Sequence, residues 1–124
     1  MRPRSLREVA EWTLLGESFD FALRSFLDGF YGHRTAQALA EEPPRMQGAD
    51  PSGLLDAYFA ATAEELSRES GFATPCWAWA EDRKLRRPWF ALPWAGMRAV
   101  LLHESPPGFR SRNLFISANA LARA

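Results

Sequence analysis

Residues 50–71 decide the fold class: Asp50-Pro51-Ser52-Gly53-Leu54-Leu55-Asp56-Ala57-Tyr58-Phe59-Ala60-Ala61-Thr62-Ala63-Glu64-Glu65-Leu66-Ser67-Arg68-Glu69-Ser70-Gly71. Leu54, Leu55, Tyr58, Phe59, Thr62 and Leu66 recur at the three- and four-residue spacing that places them on one face of an α-helix. Asp56, Glu64, Glu65 and Glu69 fall on other faces. Asp50 followed by Pro51 predicts the helix start, a capping side chain and then a ring whose fixed φ suits the first turn. Gly71 predicts the stop, because glycine adopts the left-handed conformation that closes a helix.

The same period extends outward from this stretch. Phe19, Leu23, Phe26, Leu27 and Phe30 predict a helix over Ser18–Tyr31, ended by Gly29 and Gly32. Ser5, with Glu8 three residues on, predicts a capping box opening a first helix through Leu6, Val9, Ala10 and Thr13, broken at Gly16. A short helix is expected over Thr35–Glu41, and Glu42–Gly48 reads as a loop. Residues with branched β-carbons, which favour strands, are confined to Val9, Val100, Ile116, Thr13, Thr35, Thr62 and Thr74. Alanine, leucine, arginine and glutamate dominate instead, and they favour helix. The 124 residues suffice for one domain. The expectation is therefore an all-α or nearly all-α compact bundle over residues 1–124. Its predicted core is Phe19, Leu23, Phe26, Leu27, Phe30, Leu54, Leu55, Tyr58, Phe59, Leu66, Trp89, Val100 and Leu101.

The C-terminal third is irregular and rich in rings and proline. Thr74–Trp79 sets two tryptophans beside Pro75, Arg83–Arg87 is a basic run, and Pro88–Trp94 is bracketed by prolines. Pro93 is expected to open a helix carrying Met97, Val100 and Leu101 to His103. Ser105-Pro106-Pro107-Gly108 forces a break. Phe109–Arg112 reads as a turn of helix, Leu114–Ile116 as an edge strand or extended segment, and Ser117 as the cap of a last turn through Leu121.

Net charge is zero but unevenly spread. Residues 1–82 hold seven arginines against fourteen carboxylates, and residues 83–124 hold seven arginines and Lys84 against Glu104 alone. Two readings follow. Either the halves fold together and pair their charges, or the basic third presents a binding face.

The residue types exclude several chemistries. His33, His103 and Cys76 do not stand at metal-ligand spacing, so no metal site is expected. No cofactor is expected either, because neither a G-x-G-x-x-G nor a G-x-x-x-x-G-K-[ST] loop occurs. Cys76 with a histidine could form a nucleophilic dyad, but a lone cysteine beside Trp77 reads as a small packed hydrophobe. The Gly16 break between two helices invites a helix-turn-helix comparison. Its second helix, however, opens with Glu17, Phe19, Asp20 and Phe21, which phosphates repel or do not use. One cysteine allows no internal disulfide, which points to a reducing, cytoplasmic setting. No apolar run approaches the ~20 residues of a membrane span, and the basic start at 1–5 lacks the apolar run of a signal peptide.

Basic residues interleaved with rings are the most site-like feature. Arg83, Lys84, Arg86, Arg87, Trp89, Phe109, Arg110 and Arg112 are the candidate partner-binding residues. Arginine and tryptophan are typical anchors at protein interfaces. The same mix suits single-stranded nucleic acid. Alternatively, Trp77, Trp79, Trp89, Phe90 and Trp94 are core, with arginine stems lying over them. His103 and Glu104 with nearby arginines define a further reading, a small hydrolase or transferase with acid, base and anion clamp.

Together these segments resemble a group of small bacterial proteins. The likeness rests on Pro75-Cys76-Trp77, Pro88-Trp89-Phe90, Glu104-Ser105-Pro106, Phe109-Arg110-x-Arg112-Asn113-x-Phe115-Ile116 and Leu121-Ala122-Arg123. Nearer the start, Phe19-Asp20-x-Ala22-Leu23-Arg24-x-Phe26-Leu27-Asp28-x-Phe30-Tyr31 and Asp56-Ala57-Tyr58 fit the same group. The resemblance implies an accessory or antitoxin-like role beside a nucleotidyltransferase-like protein, and it carries over no catalytic residue. The chain departs from longer members of that group, which have a DNA-binding segment. The expected function is a non-enzymatic protein-interaction module. A nucleic-acid-binding accessory protein using residues 83–112, and the small hydrolase or transferase, are the alternatives.

Overall fold

Helix forms wherever apolar residues repeat at three- and four-residue spacing. In chain order the elements are α1 (Leu6–Leu14), α2 (Phe19–Gly32), α3 (Gln37–Ala40), α4 (Leu54–Ser70), two 3-10 turns (Cys76–Trp79 and Glu81–Arg83), β1 (Trp89–Phe90), α5 (Arg98–Glu104), α6 (Pro107–Arg110) and β2 (Leu114–Phe115). The computed structural model describes residues 2–91, 97–117 and 120–121. β1 and β2 pair in parallel, Trp89 opposite Leu114 and Phe90 opposite Phe115. Apart from this pair the described residues form helices, turns and loops, and the fold is all-α or nearly so. Among the described residues no helix is long and apolar enough to cross a membrane.

The helix ends follow local chemistry. Ser5 Oγ accepts the Glu8 N–H at 3.1 Å and Ser18 Oγ accepts the Phe21 N–H at 3.3 Å. Each hydroxyl thus satisfies an amide that the first turn leaves without an intrahelical partner. Glu8 accepts from the Arg4 N–H at 2.7 Å, one residue outside the position that a capping box requires. At α4 the expected start moves. Pro51 sits in a turn, and the helix begins at Leu54 behind Gly53, whose φ of +81° suits glycine. Asp50 still caps the helix from outside the turn, Oδ2 accepting the Leu55 N–H at 2.8 Å, while Ser52 Oγ accepts the Leu54 N–H at 3.2 Å. The closure at Gly71 is as expected. Its φ is +77°, and the Phe72 N–H reaches back to the Ser67 carbonyl at 2.8 Å.

Helix α4 is the axis of the structure. From Asp56 to Ser67 every residue is buried except the half-buried Tyr58. Phe19 of α2 meets Tyr58 and Phe59 edge-on, with ring centroids 5.3 and 5.4 Å apart. α6 and both 3-10 turns pack on other faces of α4. Ala57, Ala60, Ala61 and Ala63 let these neighbours close on it from several sides. α2 contributes Leu23, Phe26, Leu27 and Phe30 to the same core, and α1 contributes Leu6, Val9 and Ala10. The Tyr31 hydroxyl donates to the Leu121 carbonyl at 2.8 Å and ties the tail to α2.

Part of the predicted core is corrected. Val100 is 44% exposed, because the short α5 buries only Leu101. Phe19, Leu54, Leu55, Tyr58 and Trp89 are partly buried at the core's edge. The helix expected from Pro93 is seen from Arg98; Pro93 and Trp94 lie outside the described residues. At Ser117 a turn is formed, the Ala120 N–H donating to the Ser117 carbonyl at 3.1 Å.

Candidate protein-interaction site

Two arginines of the irregular third are buried, and each spends its Nη donors on backbone oxygens and one carboxylate, since a buried guanidinium must be matched. Arg83 is fully buried at the end of its 3-10 turn. Its Nη2 donates to the Pro43 carbonyl at 2.7 Å and to Glu42 Oε2 at 3.2 Å, and its Nη1 donates to the Asp56 carbonyl at 3.2 Å. The Trp77 ring lies 4.9 Å from its guanidinium carbon. Burial, together with the Arg45 charge, pushes its pKa below the ordinary guanidinium value, against the pull of Glu42 and Asp56.

Arg112 is 1% exposed. Its Nη1 donates to Glu64 Oε1 and to the Gly108 carbonyl, both at 2.6 Å, and its Nη2 donates to the Ala78 carbonyl at 2.8 Å. Glu64 also meets Arg68, whose Nη1 holds Glu65 Oε1 at 2.8 Å. That same Glu65 oxygen accepts the Gly108 N–H at 2.7 Å. A Cβ at Gly108 would stand 3.0 Å from Glu65 Oε1 and 3.3 Å from the Glu64 carboxylate, so a larger residue would have to push these carboxylates back by a few tenths of an ångström. Phe109 is buried, its ring edge-on to Tyr58 at 5.0 Å. Desolvation by this packing, followed by the Asp20 charge, raises the Tyr58 phenol to about 12.

Three candidate partner-binding residues are therefore corrected. Arg83, Arg112 and Phe109 are interior groups, because the chain uses their donors and their ring to close its own core. The alternative of arginine stems over core rings holds in part, since Trp77 and Trp89 pack partly buried against the core. The guanidinium groups are inside, while Trp79, near Arg112, is 55% exposed. The charge-pairing reading is realised in part: the two halves pair at Arg83–Glu42 and Arg112–Glu64. Arg110 is exposed but donates to the Ser105 carbonyl at 2.8 Å, and Lys84 stands 3.6 Å from Glu81.

Arg86, Arg87 and Trp89 remain. They line an open cleft of about 1180 Å³ between residues 47–54 and 81–89. Both arginines are exposed, and neither forms a hydrogen bond or ion pair with the described residues. The carboxylates of the cleft have partners of their own. Asp82 takes two bonds from Arg45 at 2.8 Å, Glu81 has Lys84, and Asp56 Oδ1 takes the Met46 N–H at 2.8 Å. Asp56 Oδ2 is buried with no hydrogen-bond partner among the described residues. Arg45 also meets Glu42, so Asp82, Arg45, Glu42 and Arg83 form one chain of alternating charge.

This chain sets a pH dependence. The Arg45 hydrogen bonds hold the Glu42 and Asp82 carboxyls below the usual carboxylate range. A depressed folded-state pKa contributes stability above the unfolded value, lost as pH falls through the folded one. The melting temperature is therefore expected to decline as the pH falls from about 5 to about 3. Arg45→Gln should shallow that decline, measured by thermal melts across the range.

His103 is exposed and Glu104 half-buried at the end of α5, and neither lines this cleft or the smaller recess between residues 2–4 and α2. Among the described residues no three metal-ligating side chains cluster, and Cys76 is exposed. The sequence reading missed the role of Asp56, Glu64 and Glu65 as buried acceptors. Their signal was carboxylates within an alanine-rich helix that has no polar face broad enough to expose them all. It also missed the second wall of the cleft, which the turn at Pro51–Gly53 builds. The chain matches no protein-family model, no curated protein and no solved structure.

Proposed function

We propose that the chain is a non-enzymatic interaction module that docks an acidic protein partner through Arg86, Arg87 and Trp89. One observation carries this reading: of the basic residues at 83–112 that line the cleft or pack beneath it, Arg86 and Arg87 alone have no hydrogen bond or ion pair among the described residues. An exposed guanidinium pair beside a half-buried indole has the composition of a protein-interface anchor. Docking would place acidic groups of the partner on the two forks and cover Trp89. The resemblance to accessory proteins makes a nucleotidyltransferase-like protein the first partner to test, the chain acting as an antitoxin-like occluder in a reducing cytoplasm. The nucleic-acid reading is weaker, because a phosphate-tracking groove needs a stripe of free cations, and of the cations lining this cleft Arg86 and Arg87 alone are unpaired among the described residues. The test is capture from the native host by wild type and by Arg86→Glu/Arg87→Glu.

A further inference from the structure

Resting on that docking reading, we infer that the cleft beside Arg86 and Arg87 takes an extended segment of the partner in which acidic residues flank an apolar one. The cleft exceeds the roughly 300–1,000 Å³ of small-ligand pockets and is open rather than enclosed. Its size therefore suits a stretch of chain better than one side chain. Leu54, Leu85 and Trp89 are each half-buried along its walls and offer an apolar strip. Leu85 is fixed by its backbone: its N–H donates to the Arg112 carbonyl at 3.2 Å, and its carbonyl accepts from Asn113 Nδ2 at 2.7 Å.

Charge sets the register. Glu81 and Asp82 are matched by Lys84 and Arg45, so the unmatched charge at the rim is the positive pair Arg86 and Arg87. The floor is different. Asp56 is 1% exposed and sits beside the buried Arg83 guanidinium, whose Nη donors are already spent, so the floor offers an acidic side chain no unmatched cation. The acidic residues of the segment therefore lie over Arg86 and Arg87, and its apolar residue lies against Leu54, Leu85 and Trp89. The opposite wall tests whether the segment enters the cleft at all. Gln47 lines that wall, is exposed and makes no side-chain hydrogen bond among the described residues, so its charge can be changed without loss of a contact.

The experiment selects a random peptide library on the immobilised wild-type chain. Fluorescence polarisation then measures the enriched peptides against wild type, Arg86→Glu/Arg87→Glu, Gln47→Glu and Gln47→Arg. Enrichment of peptides with acidic residues next to an aliphatic or aromatic one is expected. They should bind at least tenfold more weakly to the double variant and several-fold more weakly to Gln47→Glu, and more tightly to Gln47→Arg. Enrichment without acidic residues, no enrichment, or equal binding by both Gln47 variants overturns the inference. If the double variant loses its protein partner while the Gln47 variants capture that partner like wild type, the partner docks on the arginine face without entering the cleft. If the double variant keeps the partner, the docking reading itself falls.

Discussion

Replacing Arg112 by alanine is expected to destabilise the protein by about 3–5 kcal/mol, the usual result of breaking a buried ion pair on one side. The reason lies in what stays behind. Glu64, with a side chain 10% exposed, would lose its 2.6 Å partner and keep only the half-exposed Arg68. The Ala78 carbonyl would lose its donor in the same step, and the Gly108 carbonyl would keep only the Ser111 hydroxyl at 3.2 Å. For a chain of this size the loss corresponds to a fall in melting temperature of roughly 10–20 °C. Arg112→Lys should recover little, since an ammonium lacks the planar fork that serves three oxygens at once. Arg112→Met combined with Glu64→Gln should be milder than Arg112→Met alone, because the stranded charge goes with its partner. Urea melts of these variants check the ordering. Equal stability of Arg112→Met and the double variant would show that Glu64 does not depend on this arginine.

Arg83→Met is the second large effect, expected at roughly 2–4 kcal/mol. The methionine fills most of the volume but leaves the Pro43 carbonyl without its 2.7 Å donor and takes one donor from the Asp56 carbonyl. Glu42 is not stranded to the same degree, since its side chain is 46% exposed and Arg45 still reaches it. The cost is therefore expected to be smaller than at Arg112, and the two melts compared directly test that order. Loss of Arg83 should also loosen the 42–46 loop, seen as faster amide exchange at Met46, whose N–H is held by Asp56.

The helices were legible in the sequence because their signals are local. Ser5 caps where expected, α2 starts beside Ser18 as its period implies, Gly71 closes α4, and the period of Leu23, Phe26, Leu27 and Phe30 marks the buried face of α2. The start of α4 was displaced because Asp50 can cap from across a turn as well as at the helix boundary, and spacing alone does not separate the two. The candidate site was half legible. The tract 83–112 was identified, but a guanidinium reads the same in sequence whether it faces water or a buried carbonyl. What separates Arg83 and Arg112 from Arg86 and Arg87 is non-local: the carbonyls of Pro43, Asp56 and Ala78, and the carboxylate of Glu64 on another helix. Val100 was misplaced for a similar reason, because the side of α5 that faces the core depends on how β2 packs against it.

Arg83 and Arg112 are buried and hold the core together, while the exposed pair Arg86 and Arg87 is proposed to act on a partner. Quantitative capture from the native host, run in parallel with wild type and Arg86→Glu/Arg87→Glu, tests it most directly when paired with a thermal melt of each. The account predicts one acidic protein, identified by mass spectrometry, retained by wild type and reduced at least tenfold on the variant, with an unchanged melting temperature. Equal capture by the two proteins would contradict it, as would a variant whose melting temperature falls as far as that of Arg112→Ala.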